Sequence, residues 1–151
     1  MSRILRGISF DLSRKSTGYA YWMGSEPTRI GTISLPAGFL GEQLSKWDIA
    51  IQGRVIGVNW VAFEDARAVS KQHGMILFGM TGILHKWCWD LGVPILGFPQ
   101  TTVKKALTGY GASKKEDMVR CARERWPRLG VETDDQADAL GVGLAFLATQ
   151  D

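Results

Sequence analysis

Long apolar runs are missing from this chain. Nothing in its 151 residues approaches the ~20 consecutive apolar positions of a membrane span, so no membrane role is expected. Cysteine is scarce: Cys88 and Cys121 lie far apart and cannot supply a disulfide framework. Reduced thiols and a cytoplasmic location are the expectation that follows. The opening "MSRILRGISFDLSRK" meets charge too early for a secretory leader. Low-complexity tracts, Ser/Pro linkers and internal repeats are also lacking, and the length is that of one domain with a real core. A single domain over residues 1–151 is therefore expected.

What is present is ordinary in bulk and uneven in placement. The chain is 45% hydrophobic and 22% charged, with a net charge of +3. Residues 101–130 hold Lys104, Lys105, Lys114, Lys115, Arg120, Arg123, Arg125 and Arg128 against Glu116, Asp117 and Glu124, a local net of +5 that leaves −2 elsewhere. Such a patch is the electrostatic footprint of a polyanion site. A solvated helix face with scattered charge reads equally well on composition.

The hydrophobic pattern alternates between two periods. "RGISFD", "STGYAYWMG" and "TRIGTISLP" read as three successive strands bounded by Gly, Ser or Pro. Leu40, Leu44, Trp47, Ile51 and Val55 recur at helical spacing. "NWVAFED" is a fourth strand, about His73 to Asp90 a long apolar helix, and "VPILGFP" a fifth strand. "TTVKKALTG" makes a short helix, and the loop "GYGAS" leads to Ser113 and Glu116 at capping-box spacing. That helix is expected to run to Pro127, and a last helix follows. Strands one, four and five, joined through helices, should lie parallel, with strands two and three as an antiparallel extension. The expected fold is one α/β domain on a mixed sheet of five strands flanked by helices.

Two strands finish alike, "ISFD" at Asp11 and "VAFE" at Glu64. If both are buried and parallel, their carboxylates share one sheet edge, where ligands bind in open α/β sheets. Unpaired buried carboxylates repel and resist ionisation, and a cation between them removes the conflict. "ETDDQADALGVGLAF" offers more acids: Asp135 and Asp138 stand one helical turn apart, and Gly141 and Gly143 would let the helix lie close to the sheet. Taken alone, acids in a first turn are also explained by capping and the helix dipole, the role expected of Asp134. Four carboxylates beside a basic patch suit Mg²⁺ or Mn²⁺ acting on phosphate oxygens.

The ordered set of Asp11 with Thr17-Gly18-Tyr19, Glu64 after Val-Ala-Phe, and "DQADAL" resembles the RuvC-type Holliday junction resolvases of the RNase H-like nuclease superfamily. The resemblance covers nearly the whole chain. It implies an RNase H-like fold and a homodimeric, Mg²⁺-dependent endonuclease, with Mn²⁺ able to substitute. That enzyme would resolve four-way DNA junctions by paired nicks leaving 5′-phosphate and 3′-hydroxyl ends. Residue by residue it implies metal binding and catalysis by Asp11, Glu64, Asp135 and Asp138, the family spacing selecting Asp135 over Asp134. "VKKALTGYGASKKE" resembles a segment bearing two functional lysines; Lys104 and Lys115 match best, with Lys105 and Lys114 as alternatives. Leu12-Ser13 stands where bacterial members have Pro-Gly after the first aspartate. Arg67 occupies the place of an aromatic thought to act at the junction centre. A chain shorter than the bacterial enzymes fits a bacteriophage member, acting in a bacterial cell or phage-infected host.

Other features admit two readings. The helix from about His73 carries Met75, Ile76, Leu77, Phe78, Met80, Ile83, Leu84, Trp87 and Trp89 around more than one face, fitting a dimer interface or a helix buried within the monomer. Tyr110 either stacks on a base or is structural. His85 and Cys88 form half a zinc pattern without a C-x-x-C partner, and Cys88 between two tryptophans reads as a core residue. "GYGASKK" does not match the phosphate loop of nucleotide kinases. The rival functions are a broader branched-DNA or RNA–DNA hybrid nuclease, and a junction-binding protein that does not cut. An ATPase of the actin/Hsp70 type lacks its phosphate loops here.

Overall fold

The computed structural model describes residues 5–65 and 71–150. Its strands are β1 (Arg6–Asp11), β2 (Thr17–Met23), β3 (Glu26–Ile33), β4 (Trp60–Glu64) and β5 (Ile95–Phe98). Its helices are α1 (Leu40–Val55), α2 (Lys71–Leu91), α3 (Gln100–Thr108), α4 (Lys115–Arg125) and α5 (Asp134–Ala148), with a 3-10 turn at Pro127–Leu129. The sheet order is β3-β2-β1-β4-β5. β1 runs antiparallel to β2 and β2 to β3, while β1 and β4, and β4 and β5, are parallel. The mixed five-stranded sheet expected from the periodicity is the one observed. No helix among the described residues is long and apolar enough to cross a membrane.

Each face of the sheet has its own core. Ile8, Phe10, Tyr19, Val61 and Phe63 pack under α1 and α2 against Trp47, Ile51, Met80 and Leu84. Ala20, Trp22, Trp60 and Ala62 pack under α3, α4 and α5 against Val103, Met118, Leu140 and Phe146. Phe146 stacks on Trp60 with ring centroids 4.1 Å apart, a contact worth about 0.5–1.5 kcal/mol beyond its buried area. Successive side chains alternate faces along a strand. On β1, Ile8 and Phe10 serve the α1–α2 side, which turns Ser9 and Asp11 toward α5. On β4, Val61 and Phe63 do the same, which turns Ala62 and Glu64 toward α5.

Several local expectations shift. The capping residue of α5 is Thr133, whose side chain accepts from the Gln136 backbone N–H at 3.2 Å; Asp134 is the first helical residue instead. At α4 the backbone N–H of Lys114 donates to Asp117 at 3.0 Å, one position beyond the expected Ser113–Glu116 pair. Ser113 is drawn back into the preceding turn, donating to the Tyr110 carbonyl at 2.7 Å. A lysine ammonium has no lone pair to complete a reciprocal box, so only half of that motif forms. α4 stops at Arg125, before Pro127 opens the 3-10 turn. Along α2, Ile76, Met80, Leu84 and Cys88 are buried at four-residue spacing while Met75, Phe78 and Trp89 are exposed. Its apolar circumference is thus covered on one side by this chain.

Candidate metal centre

β1 and β4 carry two acids to one point. Their register places Phe10 opposite Phe63, so the next residues, Asp11 and Glu64, end the two strands side by side on the α5 face. Both are buried. α5 descends on the same edge and contributes Asp138. One carboxylate oxygen from each of Asp11, Glu64 and Asp138 lies within 4.8 Å of the other two. Asp135, one turn earlier on α5, is outside that tight group, although its charge acts on all three.

The approach of α5 depends on residues with no charge. Ser9, fully buried on β1, donates its hydroxyl to the Ala139 carbonyl at 2.6 Å and accepts from the Trp22 indole N–H at 2.9 Å. That bond grips α5 one residue after Asp138. Gly18 on β2 leaves room for the first turn of α5: a Cβ there would lie 2.1 Å from the Asp135 carbonyl oxygen. Gly143 meets the Trp22 ring at the sheet, as its position suggested, whereas Gly141 faces Val103 of α3 and Met118 of α4. Gln136 ties the helix start to β3 by donating to Thr32 at 3.2 Å. None of these partners is signalled by local sequence; a small polar residue inside an otherwise apolar strand was the only trace of Ser9.

The electrostatics are those of crowded acids. Burial first, then the Glu64 and Asp138 charges, hold Asp11 well above the usual carboxylate range. Glu64 is raised by burial, against the restraint of a hydrogen bond with Asp11 and the Lys104 ammonium. Asp138 is pushed up to about 7, by burial and then by Glu64, Asp134 and Asp135, with Lys104 opposing. Glu64 Oε1 is buried without a hydrogen-bond partner. A buried, unpaired acceptor of this kind is costly, and a divalent cation satisfies it. Three hard carboxylate donors within reach of one another fit such an ion.

The other proposed site residues separate into two groups. Lys104, half-buried on α3, is close enough to lower both Glu64 and Asp138. Lys115 is not at the cluster; its side chain is 80% exposed and its Nζ lies 3.7 Å from Asp134. Lys105, Lys114 and Tyr110 are exposed, on α3 and the loop into α4. Arg67 lies outside the described residues. At Leu12-Ser13 the turn after β1 is held by Thr17, whose Oγ1 accepts from the Ser13 N–H at 3.1 Å and donates to the Ser13 carbonyl at 2.7 Å. Cys88 is a buried thiol pushed up to about 11 by burial, and no His/Cys metal group occurs among the described residues.

The comparisons with known proteins agree with this geometry. No family model matches the chain. Crossover junction endodeoxyribonuclease RuvC of Thermomicrobium roseum is 26% identical over 94% of this chain and 92% of that protein. The protein of the same name from Paraburkholderia phymatum is 27% identical over 78% of this chain and 59% of that protein. Thermus thermophilus RuvC superposes with a TM-score of 0.79 at 15% identity, covering 97% of this chain and 96% of that one. The fowlpox virus Holliday junction resolvase does so with a TM-score of 0.64 at 10% identity, over 97% and 100%.

A mixed sheet ordered β3-β2-β1-β4-β5, with acids gathered at the β1–β4 edge, gives the chain an RNase H-like fold. In sequence the chain is similar to curated RuvC proteins, and in fold to a solved one.

Proposed function

We propose that the protein is a divalent-metal-dependent endonuclease that resolves Holliday junctions by paired, symmetric nicks. The observation that carries this reading is the trio of buried Asp11, buried Glu64 and half-buried Asp138, with Glu64 Oε1 lacking any partner. Asp11, Glu64 and Asp138 would hold Mg²⁺, with Mn²⁺ as a substitute, and Asp135 would complete the set from the rim. When bound, the ion supplies Lewis-acid activation of water and neutralises charge at a scissile phosphate. The chain's own residues do the remainder. Burial of Asp11 and Glu64 keeps these carboxylates fixed and partly dry, so their field is strong where a phosphate would sit. Lys104, whose charge acts on Glu64 and Asp138, is suited to offset charge developing on the phosphoryl oxygens.

Lys115 serves differently in this reading: it is an exposed phosphate contact, paired with Asp134. Lys105, Lys114, Tyr110 and Arg67 extend the DNA contact set. Such phosphate contacts orient the substrate and carry little sequence information. The 92% span of the Thermomicrobium roseum relative supports an activity housed in one domain. A solved relative bears the description "T. thermophilus RuvC in complex with Holliday junction substrate" and has a TM-score of 0.76, which supports a branched DNA as substrate here.

Two nicks of like polarity need two sites related by a two-fold axis, so a C2 homodimer is part of the reading. Met75, Phe78 and Trp89 on the exposed side of α2 supply an apolar surface for it. Gly82 there meets nothing within 4 Å, whereas Gly79 admits Leu44 of α1. A bacterial or phage-infected cytoplasm is the expected setting.

The test is cleavage of a synthetic four-way junction beside linear duplex and RNA–DNA hybrid, with Mg²⁺ and with EDTA. Symmetric nicking of the junction alone, abolished by EDTA, is expected. Equal cutting of linear duplex would remove junction specificity, and full activity in EDTA would remove the metal.

A further inference from the structure

The far corner of the sheet carries a cluster of opposite sign. Strand alternation puts Arg6 on the α1 side of β1, two residues before Ile8. Tyr21 occupies the same side of β2 and is paired across the ladder with Arg29 of β3. Arg54, in the last turn of α1, donates to the Ala50 carbonyl and lies 5.0 Å from the centre of the Tyr19 ring. Arg6, Tyr21, Arg29 and Arg54 line one open cavity of about 320 Å³, with Ile56 and Val58 among its apolar walls.

No carboxylate lines this cavity among the described residues, and none of its three arginines joins an ion pair there. Scattered arginines on a surface are ordinarily just solvated. Here three converge on one recess. Arg54 is half-buried and tethered, so much of the ordering entropy of its guanidinium is already spent. The Arg54 and Arg29 charges also reach the Tyr21 hydroxyl, favouring its ionisation against a larger opposing effect of burial. Three like charges in one recess repel, and an anion relieves that repulsion as a cation does at the acidic edge.

We propose that this recess is a phosphate-binding subsite distinct from the metal centre. Guanidinium forks match phosphate oxygens in pairs, and the Tyr21 O–H adds a neutral donor. The subsite sits at the start of β1 and Asp11 at its end. Five residue steps at about 3.3 Å each separate the two by about 17 Å in projection, which is about five base-pair steps of duplex. The phosphate could thus belong to the backbone of a DNA arm, a source that rests on the proposed function, or to a free phosphate or nucleotide, which does not.

Two titrations test it on wild type, Arg29→Gln and Arg29→Lys: inorganic phosphate by calorimetry, and a four-way junction in EDTA across a salt series. If the ligand is free phosphate, wild type binds it, Arg29→Gln binds about tenfold more weakly, Arg29→Lys recovers part, and junction affinity is unchanged. If the ligand is a DNA arm, Arg29→Gln weakens junction binding and lowers its salt slope by about one. Phosphate and junction titrations that are the same in wild type and Arg29→Gln would overturn the subsite. Arg29 is exposed on an edge strand, and matching melting curves without phosphate exclude a folding defect. Phosphate binding without any junction binding would refute the proposed function and leave the subsite standing.

Discussion

Replacing Asp138 by Asn should stabilise the metal-free protein while abolishing its activity. Asp138 titrates near 3.8 when unfolded, and in the fold it is pushed up to about 7 by burial and by Glu64. The folded pKa lies above the unfolded one. Its contribution is therefore fully favourable below pH 3.8 and is lost progressively as pH rises through about 7. The interval corresponds to about 4 kcal/mol at most. Asp11 and Glu64 share the same protons, so about 2–4 kcal/mol is the amount expected to appear at pH 8. For a chain of this size each kcal/mol moves Tm by ~2–4 °C. In EDTA at pH 8, Asp138→Asn should thus melt about 5–15 °C above wild type. The gain should shrink toward pH 5, where wild-type Asp138 is already mostly protonated. A pH-independent remainder is expected if the new amide donates to Glu64 Oε1. Saturating Mg²⁺ should narrow or reverse the difference, because the ion stabilises only the protein that binds it. A variant no more stable than wild type at pH 8, or a gain identical at pH 5 and pH 8, would refute the reasoning.

Gly18→Ala should destabilise by about 1–3 kcal/mol and reduce cleavage, because its Cβ would lie 2.1 Å from the Asp135 carbonyl oxygen and push α5 off the sheet; urea unfolding and a nicking assay measure both. Ser9→Ala should cost about 1–3 kcal/mol, since it removes the bond to Ala139 and strands the Trp22 indole N–H. Lys104→Ala and Lys115→Ala should differ in kind. The first should cut turnover at least tenfold at saturating junction, while the second should leave stability within ~0.5 kcal/mol and mainly lower the salt slope of junction binding. If the proposed dimer forms through α2, Trp89→Ser, which removes an indole that is 86% exposed, should shift sedimentation toward monomer.

The legible part of the site was its convergence. Asp11 and Glu64 each follow a Phe at the end of a buried strand, and with a two-residue period both must leave the sheet on the same side. That parity needs only the strand pattern, and the observed register agrees with it. What was illegible depended on long-range contacts. The cap expected at Asp134 falls on Thr133, a choice tied to Gln136, whose amide is anchored on Thr32 of β3. Lys115 lies on a helix the periodicity revealed, but no local pattern says which way that helix turns it. It pairs with Asp134 and not with a member of the trio. Ser113 looked like a cap, and the Tyr110–Ser113 turn claimed it first. Ser9 shows only as a small polar residue in an apolar strand, and its partner Ala139, 130 residues away, is not signalled.

The central claim is that Asp11, Glu64 and Asp138 form a divalent-metal site. Calorimetric titration of Mn²⁺ into metal-free protein tests it directly, independent of any DNA. Wild type should bind at a defined stoichiometry, releasing protons at pH 7, and Glu64→Gln or Asp138→Asn should lose that binding while remaining folded. Equal affinity in wild type and both variants would contradict the account.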